Sequence, residues 1–373
     1  MKRMLLRKLI RMAGMAGLQF VTTCSVYGLQ GSVTAWGGGQ TAFPSGLTDI
    51  VAISTSVDHS LALHANGTIS AWGCDDDGEC DVPSALTNVA SIAAGDFFSV
   101  ALLTNGTVVA WGTDDRGQCE IPTGLSNVVA ISAGHAHCFA TKADGTIIAW
   151  GSDAFGQTEI PVVVSNLVRV VAAGDYSLAL TSAGTVVAWG LDDSGQTNVP
   201  PELSGVQSIS GARGYALALG TGGTVNMWGT GPTLPPGLIN LVSIAAGQYH
   251  ALALTGSGSV LAWGTNQSSE TVVPEGLSNV VSIAAGWDYS LALSSALSIA
   301  PVSLTITNFG LSSNDFSVIF LSQKGVSYTL QSTGSISPPD WTSVESATGT
   351  GSILTLTDAA ANAARQFYRL SVR

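Results

Sequence analysis

A tryptophan that recurs at a nearly fixed interval is the feature that most limits what this chain can fold into. The tripeptide Ala-Trp-Gly, or a close variant, occurs seven times, and successive tryptophans lie 36, 39, 39, 39, 39 and 35 residues apart. A second module, a small-residue triplet such as Ala-Ala-Gly before a Ser-Leu-Ala-Leu-like run, also occurs seven times. A period near 40 residues is typical of folds built from one repeated supersecondary unit. The seven tryptophans are Trp36, Trp72, Trp111, Trp150, Trp189, Trp228 and Trp263.

Each repeat has the local sequence of short antiparallel strands. A Val-Val-Ala-Ile-like segment ends in small residues, and an apolar Ser-Leu-Ala-Leu segment follows it. Asn-Gly pairs such as Asn66-Gly67 and Asn105-Gly106 then predict a hairpin turn before a β-branched strand that ends in the tryptophan. A Val-Pro or Ile-Pro step closes the unit, and proline there restricts a fourth strand to an edge. Three or four strands per repeat predict a β-propeller blade.

The phase of the repeat predicts a closed ring. The first Ala-Trp-Gly, within residues 33–37, has no Ser-Leu-Ala-Leu module before it, and the last such module, residues 290–293, has no Ala-Trp-Gly after it. Pairing these two segments completes a seventh blade and removes both exposed sheet edges. We therefore predict an all-β fold, with a seven-bladed propeller over residues 29–297 that is closed by its N-terminal strand.

The repeat pattern also carries a family resemblance. The motif A-A-G-x-x-x-S-L-A-L, followed by G-T-V-x-A-W-G-x-D-x-x-G-Q and Val-Pro, resembles the regulator of chromosome condensation repeat over residues 31–293. It is most similar to the bacterial secreted branch, which includes a propeller-type β-lactamase inhibitor protein. The resemblance implies a seven-bladed propeller. It does not carry guanine-nucleotide exchange to this chain, because no exchange residues can be matched.

The two ends of the chain have different compositions from the repeats. Residues 1–28 begin with five basic residues in the first 11 positions and continue without charge through small and apolar residues. This order is typical of a secretory signal peptide, so we expect a secreted or cell-surface protein. From residue 298 the repeat ends, and short alternating apolar runs are separated by Gly and Pro. These runs predict a small β-sandwich over residues 298–373, with an accessory or surface-attachment role.

The charge of the repeat region excludes some partners. Residues 31–297 contain 21 acidic and four basic residues. Such a surface repels phosphate backbones, so we expect no nucleic-acid partner. No apolar stretch long enough to span a membrane follows the N-terminal region, so we expect no membrane span in the mature chain. The expected partner is a protein of unknown identity, bound by a monomer.

The candidate binding residues follow from the strand order. In an antiparallel meander, the turn after Ala-Ala-Gly and the loop after Ala-Trp-Gly fall on the same face, which predicts an acidic rim with aromatic residues. Loops on a rigid scaffold commonly carry function, although each Asp of the recurrent D-D-x-G-Q loop also fits a turn former that bonds its own backbone. The predicted partner-binding residues are Asp96, Phe97, His135, Asp175, Arg213, Gln248, Trp287, Asp76 and Asp115.

We predict no catalytic residue, cofactor or metal. The chain has no G-x-S-x-G, H-E-x-x-H or G-x-x-x-x-G-K motif. The acidic segment 74–81 invites a calcium interpretation, but Leu86 stands where an EF-hand loop needs glutamate. Cys74 and Cys80 flank one turn and could pair in an oxidising compartment. The histidines that share one repeat position with Phe and Tyr indicate packing, and they are His59, His137 and His250.

These observations favour a binding scaffold over an enzyme. The first hypothesis is a secreted or cell-surface protein-binding scaffold that uses the acidic, aromatic loop face. Its sharpest form is an inhibitor of a hydrolase such as a β-lactamase. The alternative is a carbohydrate-binding protein or a polysaccharide-active enzyme, because propellers can build carboxylate sites that no motif reveals.

Overall fold

The computed structural model is all-β in the residues that it describes, which confirms the predicted fold class. The predicted signal peptide, residues 1–28, lies outside the described residues. The described residues are 31–38, 44, 47–162, 166–295, 306–312, 315–321, 327–333, 342–348, 353–358 and 367–372.

The repeats fold into seven three-stranded antiparallel sheets within residues 31–295. The first strands are β2 (Ile50–Thr55), β5 (Val89–Ala94), β8 (Val128–Ala133), β11 (Leu167–Ala172), β14 (Val206–Gly211), β17 (Leu241–Ala246) and β20 (Val280–Ala285). The second strands are β3 (His59–His64), β6 (Phe98–Leu103), β9 (His137–Lys142), β12 (Tyr176–Thr181), β15 (Tyr215–Gly220), β18 (His250–Thr255) and β21 (Tyr289–Ser295). The third strands are β4 (Ile69–Gly73), β7 (Val108–Gly112), β10 (Ile147–Gly151), β13 (Val186–Gly190), β16 (Val225–Gly229), β19 (Val260–Gly264) and β1 (Gly31–Gly37).

We number the sheets 1 to 7 by their first strands in chain order, from β2 to β20. Sheet 7 is completed by β1, which pairs antiparallel with β21 from Gly31 opposite Ser295 to Gly37 opposite Tyr289. The first strands of neighbouring sheets contact one another, and the strands of sheet 7 contact those of sheet 1. The ring is therefore closed by the N-terminal strand, as the phase of the repeat predicts.

The cores lie between neighbouring sheets, which explains why both faces of each second strand are apolar. Leu61 and Leu63 of β3 pack with Trp111 of sheet 2. Ala62, between them in sequence, points the other way and packs with Tyr289 of sheet 7. Large side chains on one face and alanine on the other let wedge-shaped sheets stack around an axis. The segments after each third strand that contain the Val-Pro or Ile-Pro step form no fourth strand in the described residues.

The C-terminal region is described by itself. Its six described strands are β22 (Ile306–Ser312), β23 (Asp315–Leu321), β24 (Ser327–Thr333), β25 (Thr342–Thr348), β26 (Ile353–Asp358) and β27 (Phe367–Val372). They form two three-stranded antiparallel sheets, in the orders β22-β23-β26 and β25-β24-β27. Leu330 and Leu356 are buried. The packing of these sheets as a sandwich stays a prediction. In the described part of the chain, no helix is long and apolar enough to cross a membrane.

Candidate functional site

The turns after the first strands and the loops after the third strands lie on one face, which confirms the predicted arrangement. The Thr113 N–H, just after β7, donates to the Phe97 carbonyl at 2.9 Å. The same bond joins Leu191 to Asp175 at 3.0 Å in sheet 4. We call this the loop face. The Asn-Gly hairpins between the second and third strands form the opposite face, which we call the hairpin face.

Each turn between a first and a second strand has an inner and an outer position on the loop face. In sheet 2 the turn is Gly95-Asp96-Phe97. The carbonyl of the outer residue accepts the N–H from the loop after the third strand. The N–H of the inner residue Asp96 donates to the Gly134 carbonyl of the next sheet at 3.3 Å. The inner residues in sheets 1 to 7 are Val57, Asp96, His135, Gly174, Arg213, Gln248 and Trp287. The outer residues are Asp58, Phe97, Ala136, Asp175, Gly214, Tyr249 and Asp288.

Arg213 is the centre of the loop face. Its Nη2 donates to Asp96 Oδ2 at 3.0 Å and lies 2.9 Å from His135 Nδ1. Its guanidinium carbon lies 5.3 Å from the centroid of the Trp287 ring, within the range of a cation–π contact. Sheets 2, 3, 5 and 7 therefore meet through one side chain, and four of the predicted site residues are brought together.

Gly174 makes room for this arrangement. A Cβ at Gly174 would lie 2.8 Å from Arg213 Cα and 3.1 Å from its Cγ, closer than side chains approach. The inner position of sheet 4 therefore carries no side chain where that of sheet 5 carries a long one. The sequence did not reveal this pairing, because in sheet 4 the glycine of the Ala-Ala-Gly triplet stands one place later than in sheet 2.

That shift also places Asp96 and Asp175 at different positions of their turns. Both follow an Ala-Ala-Gly triplet, yet Ala173 begins the turn of sheet 4, just as Gly95 begins that of sheet 2. Asp175 consequently occupies the outer position, where Phe97 stands in sheet 2. The two residues lie on the same face but in different rings, and only Asp96 contacts the central arginine.

Burial and hydrogen bonds fix the position of the Asp96 carboxylate. Its carboxylate is 10% exposed and lies 3.2 Å from His135 Nδ1. Ser56 Oγ donates to its second oxygen at 2.8 Å. His135 Nδ1 lies within hydrogen-bond distance of both Arg213 Nη2 and Asp96 Oδ2, and its tautomer determines which of the two it bonds. Burial raises the pKa of Asp58, and the nearby carboxylates of Asp96 and Asp288 raise it further.

Aromatic rings border the centre on the side of sheets 6 and 7. Trp287 is half-buried, and its ring lies 6.1 Å from that of Tyr249 in an edge-to-face contact. Tyr249, which is not among the predicted site residues, is 49% exposed. The sequence feature that could have identified Tyr249 is its position next to Gln248, in the turn that varies most between the repeats. Phe97 is half-buried at the outer position of sheet 2.

The regular loops after the third strands are built by their own acidic and amide side chains. Asp114 Oδ1 accepts the N–H of Cys119 at 2.7 Å, and Asp153 Oδ1 accepts that of Thr158 at 2.9 Å. The buried Gln157 accepts the Phe155 N–H at 2.8 Å. The first Asp of each regular loop is therefore a turn former that bonds its own backbone, which was the alternative to a binding role in the sequence.

The second Asp of these loops is in a different position. Asp76 and Asp115 are exposed, and the described contacts do not connect them to Arg213. The described contacts therefore do not bring these two predicted site residues into the central cluster. They stay candidate partner-binding residues only as part of a wider contact area.

The same loops fasten neighbouring sheets together. The carbonyl of the buried Gln or Glu in each regular loop accepts the indole N–H of the following sheet, as from Trp189 to Gln157 at 2.9 Å and from Trp228 to Gln196 at 2.9 Å. Ser177 of β12 donates to the Gln157 carbonyl as well, at 2.8 Å. The recurrent D-D-x-G-Q and Ala-Trp-Gly motifs are thus two halves of one connection.

The loop after sheet 5 departs from this plan. It reads T-G-P-T-L-P-P, and the interval from Trp228 to the next tryptophan is 35 residues instead of 39. Pro232 lies beside Gly264, in the place that Gln157 takes beside Gly190. The buried Nε1 of Trp263 has no hydrogen-bond partner among the described residues. The shorter loop therefore leaves one connection between sheets unmade.

A cleft of about 520 Å³ lies at this short loop. Its lining comes from the loop faces of sheets 4, 5 and 6, and includes Asp175, Asp193, Arg213, Pro232, Gln248 and Tyr249. Three of the predicted site residues, Asp175, Arg213 and Gln248, are thus brought to one cavity. Arg213 connects the cleft to the central cluster.

The histidines at the shared repeat position are packing residues, as predicted. His59, His137 and His250 are fully buried. The Nε2 of His137 lies 3.0 Å from Ser177 Oγ of the next sheet. Burial lowers the pKa of each of the three to about 4, so they are neutral in the folded protein.

The cysteines within the described residues are free thiols. Cys80 Sγ donates to the Cys74 carbonyl at 3.2 Å instead of forming the disulfide that the sequence left open. Cys119 donates in the same way to the Thr113 carbonyl at 3.3 Å. Burial raises the pKa of both Cys80 and Cys119 to about 12. Among the described residues, no group of three or more His, Cys, Asp or Glu is placed to hold a metal ion.

Comparison with known protein structures finds the same fold elsewhere. Prp20p from Saccharomyces cerevisiae superposes with a TM-score of 0.61 at 19% identity, covering 74% of this chain and 93% of Prp20p. Human WBSCR16 gives a TM-score of 0.56 at 18% identity, covering 66% of this chain and 87% of that one. The ectodomain of the Arabidopsis thaliana receptor kinase ACR4 gives 0.53 at 20% identity, covering 68% and 97%.

Comparison of the sequence gives a consistent result. No curated protein matches the chain significantly. The family model described as the regulator of chromosome condensation (RCC1) repeat matches it in four places, at residues 50–79, 89–118, 128–157 and 241–270. These matches cover sheets 1, 2, 3 and 6 and their following loops, and they omit sheets 4, 5 and 7. Four repeats of this chain therefore match the RCC1 repeat, and residues 31–295 share the propeller fold of these structures.

Proposed function

We propose that the chain is a secreted or cell-surface scaffold that binds a protein partner through the loop face of its propeller. The convergence of Asp96, His135, Arg213 and Trp287 carries this proposal. The inner positions differ from sheet to sheet while the strands around them repeat. A surface that varies on a constant scaffold is typical of recognition.

The composition of the centre supports a protein interface over a catalytic site. Trp, Tyr and Arg are the residue types that most often supply binding energy in protein interfaces. Trp287 and Tyr249 offer apolar area, and Arg213 is already oriented by Asp96 at 3.0 Å. Preorganised side chains lose little entropy on binding. The structural neighbour Prp20p is described with its binding to Gsp1p and histones, which supports protein binding by this fold.

The place of action rests on the sequence. The basic and then apolar residues 1–28 support export, and the region from 298 supports an attachment role. The acidic repeat region supports a partner other than nucleic acid. Inhibition of a hydrolase such as a β-lactamase is the narrowest form of the proposal.

The proposal is tested by partner capture with the full chain and two variants. Trp287→Ala removes an aromatic anchor from the loop face. Val129→Ser is the control, because Val129 is 58% exposed at the start of β8, toward the hairpin face. We expect a partner that wild type and Val129→Ser retain equally and that Trp287→Ala binds at least about tenfold more weakly. A partner lost with Val129→Ser and kept with Trp287→Ala would refute the proposal. Unchanged thermal unfolding of both variants is the folding control.

A further inference from the structure

The cleft at the short loop of sheet 5 is the part of the loop face that the repeat does not explain. In sheets 1 to 4 the corresponding loop is a turn held by an Asp and by a Gln or Glu side chain. In sheet 5, Gly231 stands at the place of the turn-forming Asp and lies against the Tyr215 ring, where a Cβ would meet Cγ at 2.4 Å. The opening is therefore fixed by residues that cannot rebuild the regular turn.

The opening carries a structural cost. In the regular arrangement the indole N–H bonds the carbonyl of the preceding loop, as Trp228 does with Gln196 at 2.9 Å. Trp263 is 7% exposed, and by the same geometry its N–H points toward the place that the missing loop residues would occupy. A protein that departs from its own repeat at the expense of a buried hydrogen bond commonly does so at a functional site.

The charge of the cleft selects its ligand. Asp175 and Asp193 reach it from two different loops, and among the described residues neither forms an ion pair. Arg213, the positive group of the cleft, is already engaged by Asp96 and covered by the Trp287 ring. The net charge presented to a ligand is therefore negative.

The aromatic wall fits the same ligand. Tyr249 is 49% exposed, and its ring makes an edge-to-face contact with that of Trp287. An exposed tyrosine ring beside carboxylates binds a guanidinium or ammonium group by cation–π attraction together with charge. Gln248 adds an amide that can hydrogen-bond a peptide backbone.

We infer that this cleft receives a basic side chain, Arg or Lys, from the protein that docks on the loop face. This inference rests on the proposed function and names the chemistry of the partner's contact segment. Asp193 and Asp175 pair with the cation, and Tyr249 stacks against it. The short loop gives access that the longer loops of the other sheets would block.

The test uses the full chain and two blocked amino acids as probes, N-acetyl-arginine methylamide and its neutral citrulline analogue. Titration followed by NMR chemical shifts should show millimolar binding of the arginine probe and at least about fivefold weaker binding of the citrulline probe. Equal binding of the two probes, or preferential binding of a neutral oligosaccharide such as cellohexaose at the same resonances, would overturn the inference.

Matched variants locate the binding. Asp193→Asn should weaken the arginine probe about fivefold, because one exposed ion pair contributes about 1 kcal/mol or less. Asp144→Asn is the control, because Asp144 is exposed in the hairpin-face turn of sheet 3, where Asn66 and Asn105 hold the same position in sheets 1 and 2. Equal effects of the two substitutions would refute the assignment to the cleft.

A loop replacement tests the cleft itself without weakening the fold. Residues 230–235 are exchanged for the sequence of residues 191–200, which restores the regular loop and gives Trp263 a carbonyl to bond. We expect an equal or higher melting temperature and loss of arginine binding. Retained binding would refute the inference. If arginine selectivity fails while Trp287-dependent capture persists, only this inference falls, and the proposed function stands.

Discussion

Sheets 4 and 5 are neighbours with the same strands and different loops. The loop after sheet 4 closes on itself through Asp192, Gln196 and the carbonyl that receives Trp228. The loop after sheet 5 has none of these groups, and the next tryptophan, Trp263, is nevertheless buried. The comparison teaches that burial between sheets holds the ring together, whereas the loops adjust how the sheets are fastened and what the loop face presents.

The largest expected effect comes from removing what both sheets depend on, the closed ring. Deletion of residues 29–40 removes β1 and the buried Trp36, whose truncation alone is worth about 3–5 kcal/mol. We expect a loss of at least about 10 °C in melting temperature, or failure to fold. Truncation after residue 298 is the control and should leave the unfolding transition of the propeller in place. Equal transitions for the deletion and the control would contradict closure by β1.

The buried histidines give the next largest effect, on the dependence of stability on pH. Their pKa values of about 4 in the folded state lie below the ordinary value of 6.5, so the unfolded chain binds protons first as the pH falls. The stabilisation is complete above pH 6.5 and is lost between pH 6.5 and 4. It amounts to about 3 kcal/mol for each histidine.

His137→Phe isolates the contribution of one histidine to the pH dependence of stability. The substitution should be accommodated, because Phe98 occupies the same position in sheet 2. Chemical denaturation at several pH values should show a free energy of unfolding that falls less steeply below pH 6.5 for the variant than for wild type. Parallel curves for the two proteins would show that His137 does not titrate on unfolding.

A substitution in each loop compares the two regions directly. Gln157→Ala removes the acceptor of the Phe155 N–H at 2.8 Å and should cost about 1–3 kcal/mol in the free energy of unfolding. Pro232→Ala, at the corresponding place in the short loop, removes no hydrogen bond and should change it by less than about 0.5 kcal/mol. Gln157→Glu should be milder than Gln157→Ala, since Glu79 and Glu270 occupy that position in other loops. Equal losses for Gln157→Ala and Pro232→Ala would remove the distinction between the loops.

The smallest expected effect concerns the two indole N–H groups. Trp189→Phe loses a bond to the Gln157 carbonyl, whereas Trp263→Phe removes a donor that is already unsatisfied. Both lose similar packing, so Trp189→Phe should be the more destabilising by about 1 kcal/mol in urea denaturation. A larger loss for Trp263→Phe would mean that its N–H is satisfied.

The repeat made much of the architecture predictable. Strand positions, the hairpins at Asn66-Gly67 and Asn105-Gly106, and the pairing of β1 with β21 all follow from spacing and phase, because each repeats a local rule. The packing role of His59 was also predictable, since Phe and Tyr take its place in other repeats. The expected fourth strand was not found among the described residues, where the proline-containing segments lie in loops.

The centre of the loop face could be predicted only in part. The sequence pointed to Arg213 and Asp96 separately, but they stand 117 positions apart and meet only because the ring closes. The room beside Arg213 depends on Gly174. In sheet 4 the Ala-Ala-Gly triplet is shifted by one residue relative to the strand, so the triplet pattern does not show that Gly174 occupies the inner position. The cleft also depends on loop residues that sheet 5 lacks. The sequence shows that this loop is short, but only the three-dimensional arrangement of the neighbouring loops shows that a cleft opens there.

The pairing of β1 with β21 also determines when the propeller can complete its fold during biosynthesis. Val33 lies opposite Leu293, so the last sheet draws its strands from both ends of the domain. During synthesis β1 leaves the ribosome first, but it can pair only after β21 has been made. Contacts of such long sequence separation form slowly. An incomplete chain offers two open strand edges to other nascent molecules. Completion of synthesis, rather than any single repeat, therefore commits this domain to its native topology.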